Sequence, residues 1–206
     1  MPELAVDLRT IGGAFSVEEN ARRIAHFRYA ELKCMEALSG WPATMPTIKV
    51  KLAMGEQAYQ DALHADALGR RLPELRDYEK AQIERPPMLR GSEKALPPNV
   101  EFEKFIETLH DEEDELLRIV GLYRVLKTHL AVYYRHHMAV TDQISDGPTV
   151  RTIKFILYDE EEHLKWGQAI YEELADTRAK RDRALDFQKH LEGLLIEAGG
   201  IHGIRD

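Results

Sequence analysis

Asp61 stands three residues ahead of His64, and Glu160 stands three residues ahead of His163. On a helix, residues three apart project from one side, so an acid and an imidazole placed this way can ligate one metal ion or two adjacent ions. Both pairs are centred on apolar stripes of helical period. One stripe runs Val50, Met54, Gln57, Asp61, His64, Leu68, Leu72, and the other runs Ile153, Leu157, Glu160, His163, Gly167, Ile170, Leu174. A third stripe, Asn20, Ile24, Phe27, Glu31, Cys34, Leu38, carries Glu31 at its centre. A polar side chain in the middle of a buried face is costly unless it is paired or bound to a metal. Two chemistries fit: metal ligation, or a metal-free core network of hydrogen-bonded acids and histidines.

Register adds a fourth segment. In antiparallel neighbours joined by a short turn, residues equally far from the turn come level. Glu31 precedes Asp61 by thirty residues, and counting thirty back from Glu160 reaches Leu130. The stripe there reads Ile119, Leu122, Leu126, His129, Tyr133, His136, Val140, so His129 is a candidate ligand and Tyr133 a candidate proton or electron relay. Tyr134 and His137 then face solvent or the crossover. Without a metal, the inward acids would repel one another, so Glu31→Gln is predicted to stabilise the metal-free protein. Cys34, one turn from Glu31, reads as a small buried hydrophobe.

The elements that must position these residues are helices. Ser16-Val-Glu-Glu19 is a capping-box pattern that opens a first helix running to about Ser39. A second helix follows Pro46-Thr47 to about Leu72. Pro73, Pro86, Pro87, Pro97 and Pro98 mark a long connection, with one short helix around Leu75 to Ile83. A third helical segment spans about Asn99 to Val140 with a bend near Gly121. A fourth follows the turn at Ser145-Asp146-Gly147-Pro148 and runs from about Thr149 to Asp176. A charged helix covers about Ala179 to Ala198, and Gly199 to Gly203 is predicted to fray. The Pro-Thr pairs opening the second and fourth helices suggest a loose internal repeat. The order is a helix pair, a long crossover and a second helix pair, within one domain covering 1–206.

Composition narrows the function. The 206 residues are 44% hydrophobic and 31% charged, enough for one sizeable core. The net charge of -8 and the lack of a long basic run disfavour nucleic acid as a partner. The single cysteine excludes an internal disulfide and any multi-cysteine metal site. No apolar run is long enough to span a membrane, and no leader pattern is evident, which predicts a cytoplasmic protein. The acidic run His110 to Glu115 reads as a solvated helical face with no catalytic role.

With these residues placed, the chain resembles the ferritin-like superfamily over roughly Ser16 to Asp176. The di-iron members of that superfamily supply one Glu from each of two helices and an E-x-x-H pair from each of the other two. The resemblance implies an all-α, ferritin-like four-helix bundle with one long crossover and an extra C-terminal helix. It aligns Glu31 with the first-helix glutamate, Asp61 and His64 with the second-helix pair, and Glu160 and His163 with the fourth-helix pair. Asp61 replaces a Glu, and the third-helix Glu has no match, so that helix offers His129 first, then Tyr133 and His136, in place of a carboxylate, which makes iron storage a poor fit. The activity implied is that of an iron-dependent oxidase or oxygenase acting on a small organic substrate with dioxygen. One or two irons, manganese or zinc remain open, as does a homodimer. The alternative is a metal-free bundle with a structural polar core that acts in protein association.

Overall fold

The computed structural model describes residues 13–75 and 95–204. Every regular element among them is helical. Helix α1 spans Val17–Gly40, and it starts where the sequence signals it: Ser16 is extended and its side chain accepts the Glu19 N–H, with Glu18 and Glu19 in the positive first turn. Helix α2 spans Ile48–Arg71. Its N-cap Thr47 makes no capping bond with its own side chain. Instead Glu115 accepts the Thr47 N–H at 3.2 Å and the Thr47 hydroxyl at 3.0 Å, which sets a carboxylate at the helix N-terminus from a distant part of the chain.

Helix α3 spans Val100–His110, capped by Asn99, which accepts the Phe102 N–H at 2.8 Å. Helix α4 spans Glu115–Ile119 and continues through a π-helical segment, Val120–Lys127, into α5, Thr128–Val140. Helix α6 spans Gly147–Leu174 and α7 spans Arg178–Glu197. No helix among the described residues is long and apolar enough to cross a membrane.

Three local expectations are corrected. The third segment is not one bent helix: the chain leaves helical geometry between α3 and α4, because Glu112 accepts the N–H groups of Glu113 and Asp114, each at 2.8 Å, in competition with the helix ladder. The acidic run is therefore a helix break, and Gly121 lies inside the π-helical segment. Gly199 to Gly203 does not fray. It forms a 3-10 turn with Ile201 and His202 buried, and Asn99 Nδ2 donates to the Ala198 carbonyl at 2.8 Å to tie it down. The Pro-Thr starts are not equivalent, since Thr47 caps α2 from outside whereas Thr149 lies within the first turn of α6, where it bonds Asp146. The short helix expected around Leu75 to Ile83 falls, beyond Leu75, outside the described residues.

The main core draws on α1, α2, the π-helical segment, α5 and α6, and also on α3 through Phe102 and Phe105 and on α7 through Leu191 and Leu195. Helix α1 packs along α2, and α6 packs against α2 and the π-helical segment. Phe27 stacks at 4.5 Å on Tyr134, which brings α5 against α1, and Tyr123 lies 5.2 Å from Trp166, which joins the π-helical segment to α6. Ile24, Phe27, Leu38, Met54, Leu126 and Leu130 have no exposure. Each such side chain contributes about 1.5–3 kcal/mol of transfer free energy, and this apolar stock is what the burial of charged groups draws against.

Candidate metal centre

Glu31 from α1, Asp61 and His64 from α2, and Glu160 from α6 converge in the interior. One ligand atom from each lies within 4.8 Å of all the others. Glu31, Asp61 and Glu160 are fully buried and His64 is 5% exposed. The stripe reading of these three helices thus delivers its central polar residues to one place.

The fourth side of the cluster departs from expectation. The third-segment residue that reaches it is Lys127, at the end of the π-helical segment and with no exposure. Its Nζ donates to Asp61 Oδ1 at 2.8 Å and to Glu160 Oε1 at 2.5 Å, and it lies 3.2 Å from His163 Nδ1. His129 points elsewhere, with Nδ1 bonded to the Val125 carbonyl at 2.8 Å. Tyr133 is half-buried against His202, at 5.1 Å between rings, so the relay assignment fails on position. The tyrosine at the site is its neighbour Tyr134, which donates to Glu31 Oε1 at 2.5 Å. His136 is exposed, while Tyr134 and His137 are fully buried, the reverse of the expected orientation. The inner face of this segment is Tyr123, Lys127, Leu130, Tyr134, His137.

Each histidine is oriented by a partner outside the cluster. His64 turns Nδ1 toward Glu31 Oε2 at 3.3 Å and Nε2 toward Asp159 Oδ2 at 3.1 Å. A carboxylate on the far nitrogen fixes which nitrogen faces the site. His163 Nδ1 accepts from Lys127, and its Nε2–H donates to Gln60 Oε1 at 2.8 Å. Lys127, Tyr134, Asp159 and Gln60 were not singled out by stripe counting. The local signal for Lys127 is weak: it follows Leu126, precedes Leu130 by three residues and lies one helical turn from Tyr123.

Electrostatics follow from these contacts. Burial pushes Asp61 up to about 8 despite the pull of Lys127, and the charges of Glu160 and Glu31 add to the rise. Burial acts the same way on Glu160, but Lys127 and His163 together outweigh it and hold Glu160 down at about 2. Glu160, with the shorter bond to Lys127, is the more firmly ionised of the two acids. Burial alone would lower His64, yet Glu31 beside it, then Glu160 and Asp61, raise it to about 9. Lys127 is likewise driven up by Asp61 and Glu160 against burial, so its ammonium stays charged. The acids do not simply face one another: Glu31 is matched to Tyr134 and His64, and Lys127 lies between the other two.

The matching is incomplete. Asp61 Oδ2 and Glu160 Oε2 are buried without a hydrogen-bond partner among the described residues. The carboxylates of Glu31, Asp61 and Glu160 with the His64 imidazole make an oxygen-rich donor set with one nitrogen, which suits iron, manganese or zinc. The donor chemistry of the group and the two orphaned buried oxygens together fit a metal. No family model, curated protein or solved structure matches the chain.

Proposed function

We propose that the protein is a ferritin-like metal-dependent oxidoreductase, with an iron centre that acts with dioxygen on a small organic substrate. Glu31, Asp61, His64 and Glu160 hold the metal. The observation that carries this proposal is the pair of partnerless oxygens, Asp61 Oδ2 and Glu160 Oε2, inside a buried acid cluster. A buried polar atom left unbonded costs about 1–3 kcal/mol, and a cation bound at such an oxygen removes that cost. The helix order and the two acid–histidine pairs at i and i+3 support the ferritin-like assignment.

When bound, iron supplies a redox-active Lewis acid with open coordination positions. The chain's own residues set its surroundings. Tyr134 donates to Glu31 Oε1 at 2.5 Å, and burial, with Glu31 next, raises its phenol well above the ordinary value, so it keeps its proton and orients that carboxylate. Asp159 accepts from His64 Nε2 and leaves Nδ1 facing inward. Phe27, Met54, Leu126 and Leu130 exclude bulk water, which protects reactive species from solvent.

A second reading rests on one specific observation: Lys127 already bonds Asp61 and Glu160, as in a structural ion network that needs no metal. Elemental analysis after anaerobic loading with ferrous iron separates the two. Close to a stoichiometric amount of tightly held iron, with dioxygen uptake on exposure to air, is the expected result. Metal-free protein after loading would overturn the metalloenzyme proposal and leave the structural network.

A further inference from the structure

We infer that Lys127 takes the place of a second metal ion, so that the site holds one ion per chain, paired with a fixed ammonium, rather than two. This rests on the proposal that the cluster binds metal at all. Its basis is where each donor atom is already committed.

Two ions would need both histidines and oxygens of Asp61 and Glu160 on both sides of the cluster. On one side those donors are taken. Lys127 Nζ is 2.8 Å from Asp61 Oδ1, 2.5 Å from Glu160 Oε1 and 3.2 Å from His163 Nδ1, so its three N–H bonds have three acceptors. His163 is withdrawn from ligation altogether, because Gln60 takes its other nitrogen at 2.8 Å. The ammonium cannot step aside into water, since the whole Lys127 side chain has no exposure. A divalent ion within a few ångströms of a confined ammonium would meet strong repulsion in so dry a site.

On the other side stand His64 and Glu31, with His64 Nδ1 at 3.8 Å from Asp61 Oδ1 and 3.9 Å from Glu160 Oε1, the two oxygens that the ammonium bonds. The group whose ligand atoms lie within 4.8 Å of one another is Glu31, Asp61, His64 and Glu160, and it does not include His163. The two unpartnered oxygens, Asp61 Oδ2 and Glu160 Oε2, are the ones that Lys127 leaves unused. Each of these acids thus gives one oxygen to the ammonium and has a second that no group among the described residues engages. The π-helical turn delivers the lysine: it ends at Lys127 and turns that residue inward. Extra residues in a helical turn are a known way to aim a side chain at a site.

The test is metal stoichiometry and spectroscopy on the full chain, with Mn(II) as the probe. Wild-type protein saturated with Mn(II) and then desalted is expected to retain one equivalent per chain and to show the six-line electron paramagnetic resonance spectrum of an isolated ion. Lys127→Glu adds a carboxylate and removes the ammonium, so it is expected to retain two equivalents and to show the broadened spectrum of a coupled pair. Lys127→Ala removes the ammonium without adding a ligand, and carries the same comparison if the Glu variant does not fold. Two equivalents in wild type would overturn the inference while leaving the metal site standing. One equivalent in wild type and in every folded variant would overturn it as well, because the lysine would then not be what excludes the second ion. No retained metal in wild type would instead remove the proposal beneath it.

Discussion

Replacing Glu31 by Gln keeps the side chain's shape and removes its charge, and the contacts of Glu31 set the size of the effect. Glu31 Oε2 lies 3.3 Å from His64 Nδ1 and is the chief reason, after burial is overcome, that His64 rises from 6.5 to about 9. A histidine raised in the folded state adds stability that is fully present below its unfolded value of 6.5 and is lost as pH climbs through about 9. At about 1.4 kcal/mol per pH unit, the contribution is on the order of 3 kcal/mol for this nearly buried ring. Glu31→Gln is therefore expected to destabilise metal-free protein at pH 6 by on the order of 3 kcal/mol, roughly 6–12 °C in Tm for a chain of this size. Near pH 9.5, where His64 has largely lost its proton and Asp61, held at about 8, has ionised beside Glu31, the difference should vanish or reverse, while Tyr134 still donates to the Gln oxygen. Urea and thermal unfolding in chelator at about pH 6 and 9.5 provide the assay. A variant more stable than wild type at pH 6 would refute the pairing of Glu31 with His64 and restore the picture of carboxylates that simply repel.

Tyr134→Phe leaves Glu31 Oε1 without its donor and is expected to cost about 1.5–3 kcal/mol in denaturant unfolding, whereas Tyr133→Phe should cost much less. Gly167 on α6 faces the Tyr123 ring with no room for a Cβ, so Gly167→Ala should destabilise by about 1–3 kcal/mol and disturb the 2.5 Å bond from Tyr123 to Gln57, which calorimetry and near-UV circular dichroism would register. Burial, with Arg22 next, lowers His26 from 6.5 to about 4, and burial drives His202 down as well. Their contribution is present above 6.5 and is lost as pH falls through the lowered values, so Tm should decline on the acid side and decline less in His26→Phe. Elemental analysis should find His64→Ala depleted of metal and His129→Ala unchanged.

The helix starts were legible wherever a local device sets them. Ser16 and Glu19 open α1 by a contact that spans three residues, and the chain states it outright. Glu31, Asp61, His64, Glu160 and His163 were legible because α1, α2 and α6 are regular, and a 3.6-residue period carries their faces from end to end. The third segment was not legible for the same reason inverted. A π-helical turn shifts the phase of every residue beyond it, so Tyr134 and His137 point inward where unbroken α-helix counting favours Tyr133 and His136. Lys127 escaped notice because a lysine reads as surface unless its acidic partners are already in view, and those partners lie on two other helices. The break at 111–114 depends on Glu112 turning back on its own backbone, a choice that charge pattern alone does not make.

The buried 3-10 turn Gly200–His202 also bears on how the chain assembles. His202 lies 4.6 Å from the Phe27 ring and 5.9 Å from His26, so the wall of α1 is finished by residues from the far end of the described chain. Contacts between such distant positions pay a large loop-closure entropy and form late. During synthesis, α1 and α2 can pair as a local hairpin soon after they emerge, but Phe27 gains Tyr134 and His137 only with α5 and its last ring contact only with His202. A nascent chain thus carries a partly exposed aromatic face on α1 until the stretch around His202 is made. Chaperone dependence and aggregation on truncation should track the Gly199 to Gly203 turn more closely than any residue of the acid cluster.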